Sequence, residues 1–222
     1  QYQGYVYDNT LEYAKIFGKH DISAVAGISY QTSNYEQIWG TKNDLLMNGA
    51  DYFTNLDAAL SNPKTGNYQD LEKLFSVFGR VNYTYDERYL LSLTMRRDQS
   101  SKFNPDLSVG YFPSVAAGWR ISKEQFFNVP WINELKLRAN YGVLGTSNIN
   151  VWDWVSFITV FPQAVFGTDQ VVNTGMTQIK LANEDLKWEK VAQLNAGFDA
   201  VLADNRLSLS LDYFEKNTQD VL

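Results

Sequence analysis

The sequence contains no cysteine and one histidine, His20. Without cysteine the chain has neither a disulfide framework nor a thiolate metal site. A single histidine makes a histidine-rich metal site or a Ser-His-Asp catalytic triad implausible. We therefore expect no cofactor and no metal.

Long apolar runs and basic runs are also missing. No stretch approaches the roughly 20 apolar residues that a membrane-spanning helix requires. This excludes a transmembrane helix but not a transmembrane barrel, whose strands are about 10 residues long and alternate in polarity. The formal net charge is −6. Because nucleic-acid binding requires clustered lysine and arginine, we expect no nucleic-acid partner.

Aromatic residues, in contrast, are abundant: 14 Tyr, 13 Phe and 6 Trp in 222 residues. Their amphipathic rings suit strands and membrane interfaces. A soluble carbohydrate-binding sandwich would also account for them.

Hydrophobic residues recur with a period of two, which predicts an all-β fold of antiparallel strands. In one segment, for example, Leu91 and Leu93 alternate with Ser92 and Thr94. Eight strand-like segments are predicted near 9–17, 21–33, 75–85, 88–97, 111–122, 134–143, 189–202 and 206–216.

Connection lengths favour a membrane barrel over a soluble sandwich. Tight turns near 18–21, 85–88 and 203–206 alternate with long connections near 34–74, 98–110 and 144–188; the connection near 123–133 is intermediate. Outer-membrane barrels have short periplasmic turns and long extracellular loops, whereas loops of this length are unusual in compact soluble domains. Rings near the tight turns, such as Tyr85 and Tyr89, fit an interfacial girdle. The alternative of a soluble carbohydrate-binding or adhesin-type β-sandwich stays open at this point.

Several ordered motifs resemble one family. They are Phe-Gly-Arg-Val-Asn-Tyr at 78–83, Gly-Tyr-Phe-Pro-Ser at 110–114, Gly-Trp-Arg-Ile-Ser at 118–122, Leu-Lys-Leu-Arg-Ala-Asn-Tyr-Gly at 135–142 and Asn-Arg-Leu-Ser-Leu-Ser-Leu-Asp-Tyr-Phe at 205–214. Their order and spacing resemble the barrel of SusC/RagA-type TonB-linked outer-membrane proteins. One departure is Gln99, which stands where the family often has glycine.

The resemblance implies a larger protein than this chain. Family members have a barrel of about 22 strands, an N-terminal plug, a segment that engages TonB and commonly a SusD-like surface lipoprotein. They import nutrients, glycan or peptide oligomers, across the bacterial outer membrane. We expect residues 1–222 to be part of a single barrel domain, with the plug and TonB-interacting segments absent from this chain. Eight strands cannot close such a barrel, and open edges are not tolerated in lipid.

Candidate functional residues fall into two groups. Inward-facing charges of the lumen are predicted to be Arg80, Arg96, Arg120, Lys136, Arg138, Asp199 and Asp212. Aromatic residues expected in extracellular loops, where they could stack on sugars or dock a partner, are Tyr35, Trp39, Tyr52, Phe53, Tyr68, Trp152, Trp154 and Phe157.

Carboxylate pairs offer the one hint of catalysis. Asp98 with Asp106, or Glu184 with Asp185, could be read as the acid pair of a glycoside hydrolase. Loop carboxylates are commonplace, and no other feature indicates an active site. We therefore expect that the protein is not an enzyme.

Overall fold

A computed structural model describes residues 1–45, 47–48, 51–52, 55–159, 163–166, 168 and 171–221. Eight long strands dominate it, and we number these along the chain. They are β1 Tyr2–Phe17, β2 His20–Thr41, β3 Lys64–Tyr85, β4 Tyr89–Ser100, β5 Val109–Arg120, β6 Ile132–Thr146, β7 Glu189–Leu202 and β8 Leu207–Gln219. In the described part of the chain, no helix has the length and apolar character needed to span a membrane.

The connections contain short elements that stay outside the large sheet. Three small hairpins pair Met47–Asn48 with Asp51–Tyr52, Phe157–Thr159 with Thr177–Lys180, and Gln163–Phe166 with Val171–Thr174. Three 3-10 turns lie at Leu56–Ala58, Pro105–Leu107 and Ile121–Lys123.

The long strands form one antiparallel sheet in which each strand pairs with its neighbours in the chain. This confirms the predicted all-β, antiparallel fold. β1 and β8 are the two edges, and no second long-stranded sheet exists among the described residues. Because a sandwich requires two sheets packed face to face, the sandwich alternative is wrong. An open sheet with two free edges is the form that part of a larger barrel takes.

The register separates polar from apolar side chains. In the β3–β4 ladder Arg80 lies opposite Thr94, and Val81 lies opposite Leu93. Paired residues share a face and the next pair takes the other face. Val81 and Leu93 remain 45% and 49% exposed, so the apolar face is an open surface. An exposed apolar face on transmembrane-length strands fits contact with lipid.

β2 and β3 extend well beyond the other strands. Each has 22 residues, whereas about ten tilted residues suffice to cross a bilayer. β4 pairs with β3 only as far as Leu74, whereas pairing on the β1 side reaches Glu36, whose N–H and carbonyl group both bond to Gln1. Residues 35–41 of β2 and 64–70 of β3 therefore continue their ladder past the end of β4, and we call these two paired segments the ribbon.

The ribbon corrects the predicted loop at 34–74, because only residues 42–63 connect the two strands. Its sequences, Tyr-Glu-Gln-Ile-Trp-Gly-Thr and Lys-Thr-Gly-Asn-Tyr-Gln-Asp, have polar residues on both faces. Without an apolar face the period-two signal is lost, although the backbone ladder continues.

Aromatic rings form a continuous row at the end of the sheet that carries the tight turns. The five strand residues of the row are successive Cα partners on the same face as Val81. Neighbouring ring centroids lie between 5.0 and 6.5 Å apart. The row consists of Phe17, His20, Tyr85, Tyr89, Trp119 and, from the connection after β5, Phe126. This arrangement is typical of a girdle at a membrane–water interface.

Glu124 links the β5–β6 connection to this row of rings through hydrogen bonds. Its carboxylate accepts hydrogen bonds from the hydroxyl of Tyr89 at 2.6 Å and from Nε1 of Trp119 at 2.9 Å. Arg88 lies 3.2 Å from the other carboxylate oxygen and 3.0 Å from Asp86 in the β3–β4 turn. The hydrogen bonds from Tyr89 and Trp119, together with the charge of Arg88, lower the pKa of Glu124.

A small aromatic core lies at the opposite end, where the long connections are. Phe103, Phe112 and Trp188 are 2%, 6% and 5% exposed. The Trp188 ring lies 5.0 Å from that of Phe103 and 5.4 Å from that of Phe112, and its Nε1 donates to the carbonyl of Ser108 at 3.0 Å. The indole thus joins the β4–β5 connection to the end of the β6–β7 connection.

Glycine makes room for this core. The β5–β6 ladder ends at the pair Ser114 and Gly142, and the ring of Phe112 lies beyond that point. A Cβ at Gly145 would overlap the Phe112 ring. Gly145 therefore allows one ring to fill the space where two strands separate.

We expect Trp188→Ala to lower the free energy of unfolding of the intact barrel by about 3–5 kcal/mol, the usual loss for a buried aromatic. Equilibrium denaturation in detergent measures this. Ile158→Ala is the control, because Ile158 belongs to the same connection and is 65% exposed. Equal losses for both variants would contradict the buried core.

We also expect acid to weaken the tight-turn end through Glu124. A carboxyl group whose pKa is lowered by folding stabilises the fold above its ordinary pKa of 4.5, and this stabilisation is lost as the pH falls through the lowered folded value. Glu124→Gln should lower the Tm at neutral pH, and the difference from wild type should vanish under strongly acid conditions.

Calorimetry of the intact barrel across this pH range tests the expectation. Glu134→Gln is the matched control, because Glu134 is 49% exposed and lies 3.9 Å from Arg120. A Tm difference for Glu124→Gln that stays constant at every pH would refute the role of its ionised form.

Candidate functional site

The polar face of the sheet gathers the charges that the sequence predicted for the lumen. Cα partners share a face, as do residues two apart along a strand. By this rule the strand pairing places all seven predicted charges together on the polar face: Arg80, Arg96, Arg120, Lys136, Arg138, Asp199 and Asp212. That this face lines a lumen stays a prediction.

Arg138, Asp199 and Asp212 form one ion cluster across β6, β7 and β8. Nε of Arg138 lies 3.1 Å from Oδ2 of Asp199, and Nη1 lies 2.6 Å from Oδ1 of Asp212. Ser210 donates to Asp199 at 2.6 Å and accepts from Arg138 at 3.1 Å. Two carboxylates thus occupy the planar fork of one guanidinium group. Because each charged group of the cluster already contacts an oppositely charged group, the cluster is better suited to stiffening the sheet than to binding a ligand.

Gly197 leaves the space that this cluster needs. Arg138 and Asp212 are both Cα partners of Gly197, so the guanidinium group crosses that position. A Cβ on Gly197 would lie 2.5 Å from Oδ1 of Asp212 and 2.5 Å from the carbonyl oxygen of Leu211. The carbonyl belongs to the backbone ladder, so it cannot shift without straining the pairing of β7 with β8.

Arg96 makes a second paired site on the same face. Its Nε lies 2.8 Å from both carboxylate oxygens of Asp98, and Nη2 donates to Oγ of Ser76 at 2.9 Å. Asp98 and Ser76 are 7% and 1% exposed. The other member of the predicted carboxylate pair, Asp106, lies in the 3-10 turn Pro105–Leu107 and takes no part in this site.

The other three predicted charges make weaker polar contacts than Arg96 and Arg138. Arg80 donates to Oγ1 of Thr94 at 3.1 Å. Arg120 lies 3.9 Å from Glu134. Lys136 is the Cα partner of Asp199 and interacts electrostatically with its carboxylate.

The second carboxylate pair, Glu184 and Asp185, lies exposed in the β6–β7 connection. The part of the chain that the structure describes contains no group of three or more His, Asp or Glu residues placed to hold a metal ion.

Three rings that were predicted to lie in a loop are strand residues, which corrects that assignment: Tyr35 and Trp39 belong to β2, and Tyr68 belongs to β3. The rings of Tyr35 and Tyr68 meet edge to face with centroids 6.3 Å apart. Trp39 lies over Gly66, where a Cβ would come within 2.5 Å of the indole. The three side chains are 42%, 46% and 49% exposed in the order Tyr35, Trp39 and Tyr68.

These rings extend the polar face beyond the sheet. Tyr35, Gln37 and Trp39 are the Cα partners of Asp70, Tyr68 and Gly66. Asp70 and Tyr68 lie an even number of residues from Arg80 in an unbroken ladder, so they point to the same side. We call the surface formed by Tyr35, Trp39 and Tyr68 the ring face.

The remaining predicted loop rings are scattered. Trp152 is 48% exposed with φ +72, and Trp154 is partly buried, both in the β6–β7 connection. Phe157 begins a short strand, and Nζ of Lys180 lies 5.9 Å from its ring. Tyr52 ends the short strand Asp51–Tyr52; its side chain and all of Phe53 lie outside the described residues.

Two features were missed by sequence reasoning. The Phe103–Phe112–Trp188 core had a usable signal, because Gly110 and Gly145 both lack the Cβ that would overlap Phe112. The contacts of Glu124 had no usable signal in the sequence, because one carboxylate in a polar connection resembles any other.

Comparison with known proteins identifies a family. The protein-family model described as "TonB dependent receptor-like, beta-barrel" matches residues 1–222. TonB-dependent receptor P3 of Formosa agariphila is 39% identical over 217 residues, which cover 97% of this chain and 21% of that protein. TonB-dependent receptor SusC of Bacteroides thetaiotaomicron is 31% identical over 229 residues, covering 97% of this chain and 21% of SusC.

Solved structures agree with these relatives. A structure of the RagAB peptide importer in the open-open state aligns with a TM-score of 0.79 at 27% identity, over 97% of this chain and 23% of that one. A RagAB peptide transporter structure aligns with a TM-score of 0.78 at 28% identity, over 99% and 24%. The chain thus spans a fifth to a quarter of the proteins it is similar to.

We expect Gly197→Ala to lower the stability of the intact barrel by about 1–3 kcal/mol, because the added methyl group forces Asp212 and the Leu211 carbonyl to move. Gly79→Ala is the matched control, since a Cβ there meets only an ordinary contact at 3.7 Å. Denaturant unfolding in detergent compares the two. A Gly197→Ala barrel as stable as the Gly79→Ala barrel would contradict the packing described here.

Proposed function

Because this chain belongs to the TonB-dependent receptor-like β-barrel family, we propose that it forms part of the wall of an active importer of glycan or peptide oligomers. The family is one of outer-membrane transport proteins and not of enzymes. The sequence predictions of family, outer-membrane location and absence of catalysis are therefore confirmed.

On this proposal residues 1–222 are part of one barrel domain, and the other strands, the plug and the TonB-interacting segment lie elsewhere in a longer polypeptide. Two observations support it. Within the described residues β1 and β8 have one free edge each, and an open edge is not tolerated in lipid. The matched relatives are also several times longer than this chain.

The proposal rests mainly on the contrast between the two faces of the sheet, one of which is apolar and the other polar. The apolar face keeps side chains such as Val81, Leu93 and Leu209 about half exposed, as lipid contact requires. The polar face pairs Arg96 and Arg138 with carboxylates, as a hydrated wall requires. A soluble protein would bury the first surface, whereas a barrel in lipid exposes it.

The long-loop end is the proposed site for cargo and for a SusD-like lipoprotein. The resemblance to SusC and to the RagAB importer supports this assignment. The ring face supports it independently, because exposed rings at the barrel mouth can stack on sugars or on the side chains of a peptide. Energy for transport would come through TonB.

Uptake by cells that carry the full-length receptor tests the proposal. We expect labelled glycan or peptide oligomers to enter in a TonB-dependent manner. The double variant Trp39→Ala, Tyr68→Ala should weaken cargo binding about tenfold or more, if each stacked ring contributes about 1 kcal/mol.

The matched control is Ile38→Ala with Asn67→Ala. These two residues are Cα partners at the same height of the ribbon and point away from the ring face. Uptake that continues after removal of TonB would refute the importer. If both double variants weaken cargo binding equally, the ring face is not the cargo-binding surface, although the importer proposal stands.

A further inference from the structure

One strand edge at the long-loop end carries backbone groups that have no partner among the residues that the structure describes. Lys73 of β3 still bonds toward β4: its N–H donates to Oγ of Ser101, and its carbonyl accepts from the N–H of Ser101, both at 2.9 Å. Backbone groups alternate in direction along a strand. The next residues that point to this side are therefore Leu71, Gln69, Asn67 and Thr65.

None of these four residues makes a backbone hydrogen bond on that side to any described residue, and all four are exposed. The edge thus offers four N–H groups and four carbonyl groups in a straight row. We call residues 65–71 of β3 the open edge.

The open edge differs from the two ends of the sheet. β1 and β8 each have one free edge because they stand at the two ends of the strand order in the sheet. β3 lies between β2 and β4, and β4 turns away at Ser101, where Lys102 binds Glu72 at 3.1 Å. The neighbour that could have covered the edge is therefore present and leaves it.

Two of the usual protections of an exposed edge, proline and a bulge, are missing, although Lys64, Asp70, Glu72 and Lys73 place charge in and beside it. Native proteins interrupt such edges with proline or a bulge. Residues 64–73 contain no proline, and the ladder of β3 with β2 runs through them without a register shift. A regular row of alternating donors and acceptors matches the repeat of one kind of ligand, an extended polypeptide.

The charge of the region indicates what that polypeptide carries. Residues 36–73 hold six carboxylates and three lysines. Asp70, between Gln69 and Leu71 of the open edge, has one buried carboxylate oxygen, Oδ1, without a hydrogen-bond donor. A buried acceptor left unsatisfied is costly, and a basic side chain on an added strand would supply the missing donor.

The direction of the edge indicates where the polypeptide comes from. The open edge lies beyond the end of β4 and faces sideways, in the plane of the sheet. The polar face is continued by the ring face and not by the open edge. Cargo that enters a lumen would pass the ring face. A protein seated on the rim would meet the open edge.

We propose that the open edge binds, by strand addition, an extended segment with a basic side chain from the protein that caps the long-loop end. The inference rests on the proposed function, which supplies this partner as a SusD-like lipoprotein. The added strand would pair with Thr65, Asn67, Gln69 and Leu71 and place its basic residue beside Asp70.

Residue-resolved hydrogen exchange on the full-length receptor, alone and with its purified SusD-like lipoprotein, tests the proposal. The amides of Gly66, Tyr68 and Asp70 bond to β2 and should be protected in both states. Those of Thr65, Asn67, Gln69 and Leu71 should exchange fast in the receptor alone and slow at least about tenfold in the complex. This alternation distinguishes strand pairing from general burial.

A proline variant gives an independent readout. Asn67→Pro removes an outward N–H from the open edge and should weaken lipoprotein binding about tenfold or more. Ile38→Pro is the matched control, because Ile38 is the Cα partner of Asn67 and its N–H points to the other side of the ribbon. Asn67→Ala, which keeps the backbone donor, should bind like wild type.

The outcomes separate this inference from the function it rests on. If the complex forms and the four amides stay unprotected, or are already protected in the receptor alone, the open edge is not the binding site although the importer stands. If Ile38→Pro weakens binding as much as Asn67→Pro, strand addition is likewise refuted. If no SusD-like lipoprotein binds, this inference and the proposed lipoprotein partner both fail, whereas TonB-dependent uptake still tests the importer separately.

Discussion

Backbone pairing is the constraint on which the rest of this structure depends. Hydrocarbon offers no hydrogen bonds, so each unpaired N–H or carbonyl group in a bilayer costs several kcal/mol. The chain meets this requirement with one antiparallel sheet in which every strand pairs with its neighbours in sequence. Because the ladder fixes which residues share a face, it also sets the apolar belt, the aromatic row and the polar wall.

The side chains follow from that geometry. On the apolar face the ring row from Phe17 to Trp119 uses successive Cα partners, so it needs no contact beyond the ladder itself. On the polar face, charges two strands apart meet only where glycine removes the intervening side chain, as Gly197 does between Arg138 and Asp212. The same ladder, continued past the membrane in the ribbon, produces both the ring face and the open edge.

The sequence predicted the strands wherever one face is apolar, as in the segment around Leu91 and Leu93. It failed at residues 34–41 and 64–74, where both faces are polar and only the backbone shows that the strand continues, and it began the first strand near residue 9 where the structure begins it at Tyr2. The seven polar-face charges could be predicted from alternation alone. Their pairing could not, because it depends on which strands are neighbours and on the room left by single glycines.

One comparison of neighbouring residues tests the central claim most directly, since this chain contributes no cysteine. Ser114 and Val115 are consecutive in β5, on the polar and apolar faces. Single Ser114→Cys and Val115→Cys variants of the full-length receptor, in an otherwise cysteine-free background and labelled with a fluorophore, would be exposed to lipid-borne and aqueous quenchers. We predict that lipid-borne quenchers act on position 115 and aqueous quenchers on position 114. Aqueous quenching at both positions would contradict the membrane barrel.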